Sequence, residues 1–362
     1  MCGIAAIFAY GESAPPVDRA EVIRMREQMF ARGPDGEGEW FSEDGRIGLG
    51  HRRLTIIDLS AAGAQPMWNP DRSLAIIFNG EIYNYRELRS QLSANGYQFR
   101  SHCDTEVLLA LYQTRGEAML NELRGMYAFA IWDRNKEGLF LVRDPFGIKP
   151  LYYSDNGHTF RVASQVKPLR DCGKIDLAPD PAGHVGYFLW GHVPDPYTLF
   201  RNIHSLPAGS SMWVDHNGPR SPHVFCNISA ILRDAETLED GRSKIEDRVL
   251  PSPSHLSSSC SELLRAALKE TVAYHLVADV PVGVFLSSGL DSTTIAALAA
   301  EQGGDLRTVT LGFEEYKGTA EDEVPLAEQF ARRCGAKHRA RHSHCHRPDP
   351  KAFYFSKVCW DL

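Results

Sequence analysis

Apolar residues along the first 170 positions come in short runs separated by polar clusters, and most runs are too short for helices. Leu74-Ala75-Ile76-Ile77-Phe78 is a continuous apolar stretch and reads as a buried strand. Residues 2–8 open the chain in the same style. Residues 126–133 and 139–143 read as strands joined by the polar Arg134-Asn135-Lys136-Glu137-Gly138, with further strands near 151–153 and 160–163. Residues 47–58 look like a strand entering a loop. Helical spacing appears at 21–30, where Val22, Ile23, Met25, Met29 and Phe30 are apolar, and it stops at Arg32-Gly33-Pro34-Asp35-Gly36. Residues 85–95 read as a helix ended by Gly96, and Asp104 reads as the N-cap of a helix through 107–112. Strands adjacent in sequence, mixed with helices, predict an α+β fold with stacked sheets.

From 216 to 258 the texture changes to polar residues, prolines and a serine cluster, and this stretch reads as a linker or excursion. A second pattern then starts: a helix at 261–276, a strand at 282–286, a helix through 300, a strand at 308–312 and a helix at 324–334. This is the opening of a parallel sheet. The expected division is therefore 1–215, 216–258 and 259–362.

Composition narrows the function. The chain has 362 residues, 43% of them hydrophobic and 23% charged, with a net charge of −7. No basic block stands out, which argues against nucleic-acid and membrane-surface binding. No apolar run approaches the ~20 residues of a membrane span, and the N-terminal apolar stretch, with no basic region before it, reads as too short for a signal sequence. The eight cysteines are scattered without a Cys-x-x-Cys pair, as expected in a reducing cytoplasm.

Cys2 is the first candidate for chemistry. If Met1 is removed, this residue carries a thiol and a free α-amine, which titrate near ~8.5 and ~8, so one can act as base for the other. That would be a nucleophile with its own general base. Read plainly, Cys2 is a small buried residue opening a strand, and its position alone does not choose between the two.

The chain resembles the glutamine-dependent asparagine synthetases, which are class II, N-terminal-nucleophile amidotransferases. The resemblance rests on Met1-Cys2-Gly3-Ile4, Arg32-Gly33-Pro34-Asp35, His51-Arg52-Arg53-Leu54, Gly63-Ala64-Gln65-Pro66, Phe78-Asn79-Gly80-Glu81-Ile82-Tyr83-Asn84, Asp104-Thr105-Glu106 and Arg143-Asp144-Pro145-Phe146-Gly147-Ile148-Lys149-Pro150. It implies a four-layer αββα glutaminase domain followed by the beginning of an ATP pyrophosphatase-type parallel-sheet domain. The implied catalytic set is Cys2 with Asn79 and Gly80 as oxyanion donors. Arg53 would grip the glutamine carboxylate, and Asp104 and Glu81 would hold its ammonium. These roles suit the residues' own chemistry: an oxyanion needs preorganised donors, and a guanidinium matches a carboxylate bidentately. His51 reads as structural.

Leu286-Ser287-Ser288-Gly289-Leu290-Asp291-Ser292 follows a strand and opens a helix, the setting of an anion cradle. It resembles the family's pyrophosphate loop, which implies ATP on residues 286–292 and Mg2+ on Asp291. The implied reaction converts ATP, aspartate and glutamine to asparagine, AMP, pyrophosphate and glutamate. Ammonia would pass from one site to the other, near residues 143–150. The acceptor is aspartate or another carboxylate, and a homodimer is left open. Two rivals are a glutaminase-only protein and a non-catalytic partner of an intact synthetase.

Three features depart from the family's pattern. Ser288 stands where a second glycine is usual, which would cost ~1–2 kcal/mol if the position needs a positive φ. Gln165 stands where a glutamate is usual. Only seventy residues follow Ser292, so the acceptor-binding part of the synthetase domain is expected to be missing, and the likeness is expected to fade after Cys334. The tail from 338 holds His338, His342, His344, Cys345 and His346; it reads as a polar tail, with a metal site as the sharper alternative, although the spacing is too tight for one tetrahedral ion.

Overall fold

The first strand, β1 (Gly3–Ala9), is buried at every position because both its faces are covered. Ile4, Ala6 and Phe8 enter one apolar core, while Ala5 and Ile7 enter another. This alternation organises the first unit. The computed structural model describes residues 1–233 and 258–344, and the chain divides into two units, Met1–Lys244 and Ile245–Leu362.

In the first unit β1 leads into α1 (Arg19–Glu27), whose N–H at Ala20 is capped by Asp18 at 2.9 Å. The helix ends earlier than its apolar spacing suggested, because residues Phe30–Arg32 tighten into a 3₁₀ turn. Then come β2 (Gly36–Phe41), β3 (Ile47–Arg53), β4 (Met67–Trp68) and β5 (Leu74–Ile82), followed by α2 (Tyr85–Ala94) and α3 (Asp104–Arg115). β6 (Gly125–Asp133), β7 (Gly138–Arg143), β8 (Tyr152–Asp155) and β9 (Thr159–Ala163) precede α4 (Val166–Arg170) and α5 (Pro181–Trp190). β10 (His204–Ser205), β11 (Ser210–Asp215), β12 (Gly218–Pro219) and β13 (His223–Val224) follow, and residues 228–233 are helical.

These strands form two antiparallel sheets, ordered β10-β8-β9-β1-β3-β2 and β12-β11-β7-β6-β5-β4, with β13 also on β11. The sheets stack through Ile4, Ala6, Phe8, Ile47 and Leu49 of the first and Ala75, Ile77, Ala128 and Leu141 of the second. Val22 and Met25 of α1 and Leu169 of α4 cover the outer face of the first sheet. On the far side of the second sheet, Tyr112 of α3 stacks on Phe140 of β7 at 5.6 Å. The result is the four-layer αββα arrangement.

Three local expectations are corrected. β5 does not end at Phe78 but pairs with β6 through Ile82, so Asn79, Gly80 and Glu81 lie inside the strand. Asp104 is the first helical residue rather than the cap, and its carboxylate accepts the Ile82 N–H at 3.0 Å. Residues 216–233 include β12 and β13, which pair with β11; residues 234–257 lie outside the described part.

The turn after β7 is held by side chains on both sides. The buried Asp144 carboxylate accepts backbone N–H groups from Phe146 and Ile148 at 3.0 Å, Lys149 at 2.9 Å and Tyr127 at 3.2 Å. Arg143 donates to the carbonyls of Lys149, Gly147 and Leu206 at 3.0, 2.9 and 2.7 Å, and pairs with Asp195 at 2.8 Å.

The second unit contains α6 (Ser258–His275), β14 (Gly283–Phe285), α7 (Leu290–Glu301), β15 (Arg307–Phe313), α8 (Val324–Arg333) and β16 (Lys337–Ser343). Its sheet is parallel in the order β14-β15-β16. Leu286, Ala296, Ala327 and Ala331 form one core, and Val272, Leu298 and Ala299 another. β16 overturns the reading of the chain from 338 as an unstructured tail. It pairs with β15 at seven consecutive positions, and the His338 ring nitrogen shares a hydrogen bond with the Thr308 hydroxyl at 2.9 Å. Its charged residues hid a strand whose partner satisfies the backbone. Cys345 and His346 lie outside the described residues, among which no group of three His, Cys, Asp or Glu could hold a metal. No described helix is long and apolar enough to cross a membrane.

Replacing Asp144 with alanine leaves four N–H groups without their acceptor, those of Lys149 and Tyr127 in buried contacts. The expected loss is about 2–4 kcal/mol of stability, read by urea denaturation, with Asp144→Asn losing less. A loss below about 0.5 kcal/mol would show that other groups satisfy these donors.

Candidate active site

The parity of the strands decides what gathers at the open end of the gap between the sheets. In β1 the even positions face the gap, and Cys2 continues that series. In β3 the odd positions Ile47 and Leu49 face it, so His51 and Arg53 do as well. In β5 Ala75 and Ile77 face it, followed by Asn79 and Glu81. The register sets Gly3 opposite Arg52, which brings Cys2 beside Arg53. All six predicted residues of the glutamine set, Cys2, Arg53, Asn79, Gly80, Glu81 and Asp104, line one cavity of about 200 Å³.

Gly80 contributes through its backbone. Its ladder partner Tyr127 exchanges its backbone hydrogen bonds with Asp144 on β6's other side. Gly80 and Tyr127 are therefore a non-hydrogen-bonded pair, and the Gly80 N–H points away from β6. Along that same edge Phe78 donates to Gln65 Oε1 at 2.6 Å and Ile82 donates to Asp104. The Gly80 N–H stands between these two, in the cavity wall. A Cβ at position 80 would overlap the Met126 carbonyl.

Asn79 is fully buried, and neither atom of its amide has a hydrogen-bond partner. An orphaned buried amide costs about 1–3 kcal/mol and calls for an explanation by function.

Cys2 Sγ accepts the Leu54 N–H at 3.4 Å. Burial pushes its thiol pKa up, while the Leu54 contact and the neighbouring α-amine pull it back. The α-amine of Met1 is lowered to about 6, chiefly by burial. Cys2 and Glu81 oppose that shift, and Lys149 and Arg32 add to it. Asp104 rises to about 7 because it is buried and faces Glu81, although the Ile82 N–H holds it down. His51 falls to about 3 through burial, so it is neutral, and its Nε2–H donates to the Phe78 carbonyl at 3.1 Å across the gap. It is a tie between sheets.

Arg53 donates to the Ser60 carbonyl at 2.9 Å, the Ile57 carbonyl at 3.4 Å and the Asp58 carbonyl. Its guanidinium thus carries the loop 57–60 on the cavity rim. A Cβ at Gly63 would collide with that guanidinium.

Two contributors were missed in the sequence. Arg32 Nε donates to the Cys2 carbonyl at 2.8 Å, clamping the residue from behind. Lys149 is 4% exposed and also lines the cavity. Both sit inside quoted motifs, and a lysine flanked by proline in an otherwise turn-like segment was the available signal.

In the second unit Leu286, Ser287 and Ser292 line a separate cavity with Val309, Thr310 and Glu323. Ser288, Gly289, Leu290 and Asp291 are exposed around the start of α7 and do not line it. Ser287 and Ser292 share a hydrogen bond at 2.9 Å, and the Gly289 N–H donates to Ser287 Oγ at 3.1 Å. Ser288 does not have a positive φ, so its Cβ costs no backbone strain.

The raised pKa of Asp104 gives a prediction with a fixed sign. A carboxyl that folds with its pKa near 7 instead of 3.8 favours the folded state below pH 4, and that contribution is lost as pH rises through 7. Asp104→Asn keeps an acceptor for Ile82 and removes the buried charge. At pH 8 it should stabilise the protein by about 1–3 kcal/mol, and at pH 4 by little. Thermal melting at both pH values checks this; equal shifts at both would refute it.

The glutamine amidotransferase domain family matches residues 1–225, and the asparagine synthase family matches residues 263–360. The second match runs past Cys334 into the tail, where the likeness was expected to fade. Asparagine synthetase [glutamine-hydrolyzing] 1 of Bacillus subtilis is 37% identical over 336 residues, covering 92% of this chain and 49% of that relative. Asparagine synthetase [glutamine-hydrolyzing] 2 of the same organism is 33% identical over 320 residues, covering 86% and 40%. Asparagine synthetase B of Escherichia coli is 34% identical over 300 residues, covering 82% and 44%. The chain spans about half the length of these curated relatives. With its stacked antiparallel sheets, its Cys2 cavity and both family matches in order, the chain belongs to the glutamine-hydrolysing asparagine synthetase family.

Proposed function

We propose that the first unit hydrolyses glutamine through Cys2 and that the released ammonia serves ATP-dependent amidation of aspartate. The observation that carries the first half is the Asn79 amide: it is buried, unpartnered and in the same cavity wall as the Gly80 N–H, beside Cys2. An unpartnered amide donor and a backbone N–H turned away from β6, both beside Cys2, fit an oxyanion that forms only during reaction.

The proton of the Cys2 thiol passes to the α-amine exposed by loss of Met1. The sulfur attacks the side-chain carbonyl carbon of glutamine, and the oxyanion is received by Asn79 and Gly80. The carbon–nitrogen bond breaks, ammonia leaves with the proton from the amine, and water cleaves the thioester to glutamate and free thiol. Arg53 takes the substrate carboxylate, for which it must release part of its hold on the 57–60 carbonyls. Asp104 and Glu81 take the ammonium; binding a cation draws the Asp104 pKa down from about 7 and secures its charge.

In the second unit the N-terminus of α7, with Gly289 before it, fits a phosphate group. Residues 286–292 would bind ATP there, and Asp291 in the first turn would meet Mg2+ held by the phosphates. The family relationship supports aspartate as acceptor over another carboxylate. It also weighs against a glutaminase-only reading.

Cys2→Ala should abolish glutamate formation and leave unchanged any amidation driven by free ammonium, in an assay that measures glutamate and asparagine separately. Glutamine-driven asparagine formation by that variant would overturn the assignment. Arg53→Ala should raise the glutamine KM by about 2–4 kcal/mol in binding terms, whereas Asn79→Ala should lower kcat about 10²-fold or more. Steady-state kinetics showing the reverse pattern would exchange the two roles.

A further inference from the structure

Lys149 has no role in the chemistry set out above, yet few lysines are placed so deliberately. It is buried in the wall of the Cys2 cavity. Its backbone is fixed at both ends: Asp144 accepts its N–H at 2.9 Å, and Arg143 donates to its carbonyl at 3.0 Å. Both of those side chains are themselves buried. A lysine whose only task was solubility would not need such an anchored turn.

Four charged or titratable groups face it. They are Glu81 from β5, Arg32 from the turn after α1, Cys2 ahead of β1 and Asp144 on its own turn. With Met1 in place, its α-amine faces Cys2, Lys149, Arg32 and Glu81, and loss of Met1 moves the free amine one residue along, onto Cys2 itself. Two cations, Lys149 and Arg32, thus stand against the amine and thiol, with Glu81 as the opposing anion. Arg32 also grips the Cys2 carbonyl, so one cation holds the nucleophile's backbone while the other remains on the cavity side.

We propose that Lys149 is a positioning residue for the nucleophile: its ammonium keeps the α-amine beside Cys2 unprotonated and favours the thiolate. The amine must be neutral before it can take the thiol proton, and the thiolate left behind is the attacking form; a neighbouring positive charge favours each. Burial lowers the pKa of Lys149, and Glu81 pulls it back. The inference rests on the reading of Cys2 as the nucleophile of glutamine hydrolysis.

The test uses the full chain with Lys149→Met and Lys149→Arg. Alkylation of Cys2 by iodoacetamide, followed by peptide mass spectrometry from pH 5 to 10, reads the nucleophile without any substrate. Removing the cation raises the pKa of amine and thiol together, so the rising limb should move up by about one pH unit in Lys149→Met. At pH 6.5 alkylation should slow roughly tenfold and at pH 9.5 hardly at all, with Lys149→Arg close to wild type. The acidic limb of glutaminase kcat/KM should move with it, at an unchanged glutamine KM. An unshifted alkylation profile with a raised KM would overturn the proposal and make Lys149 a substrate contact. An equal loss at every pH with a lowered melting temperature would overturn it in favour of a structural role. Absence of glutaminase activity in the wild type would refute the hydrolytic reading, while the alkylation limb would still report on Lys149.

Discussion

Removal of water from the gap between the two sheets is the constraint on which the first unit's chemistry depends. The gap is filled by Ile4, Leu49, Ile77 and Ala128, and the polar residues come only at its open end. There the desolvation that stabilises the core acts on titratable groups instead. It lowers the amine, raises Cys2 and Asp104, and neutralises His51. The same dryness leaves the Asn79 amide without a partner. The fold thus produces a reactive end without any residue being individually unusual, because the apolar stack continues up to the last turn of each strand.

Much of this was legible in the sequence. The strands 2–8 and 74–78 were readable because both faces are covered, so polar alternation never breaks the run. The six residues expected to hold glutamine fall in motifs and line one cavity; strand parity delivers Cys2, Arg53, Asn79 and Glu81, while Gly80 comes by its backbone and Asp104 from the start of α3. Two kinds of feature were not legible. Asn79-Gly80 reads locally as a turn, and only pairing with β6 keeps it extended, which is a tertiary effect. Arg32 and Lys149 were hidden because a buried cation in a loop looks like any surface charge until its surroundings are known.

The second unit shows the limit from the other side. β16 is rich in Arg, His and Lys, and no hydrophobic pattern marks it. It forms because β15 offers a full row of backbone partners, at an edge where charged side chains remain wetted. The α7 loop differs again. Its Ser287–Ser292 pairing closes it on itself, so its shape is set by short local hydrogen bonds that the motif already encodes.

The alternation in β1 couples Cys2 to the core by counting. Ile4 is locked by its register with His51 and by its hydrogen bonds to Ser164, and Cys2 stands two residues before it, one full pleat away. The orientation of the sulfur is therefore arithmetic: inserting or deleting an odd number of residues between Cys2 and Ile4 would turn the thiol towards α1 and out of the cavity. Sequence drift in this strand can exchange one apolar side chain for another, but it cannot change the count. The short path from core to sulfur is a ruler, and insertion or deletion is the one class of change it does not tolerate.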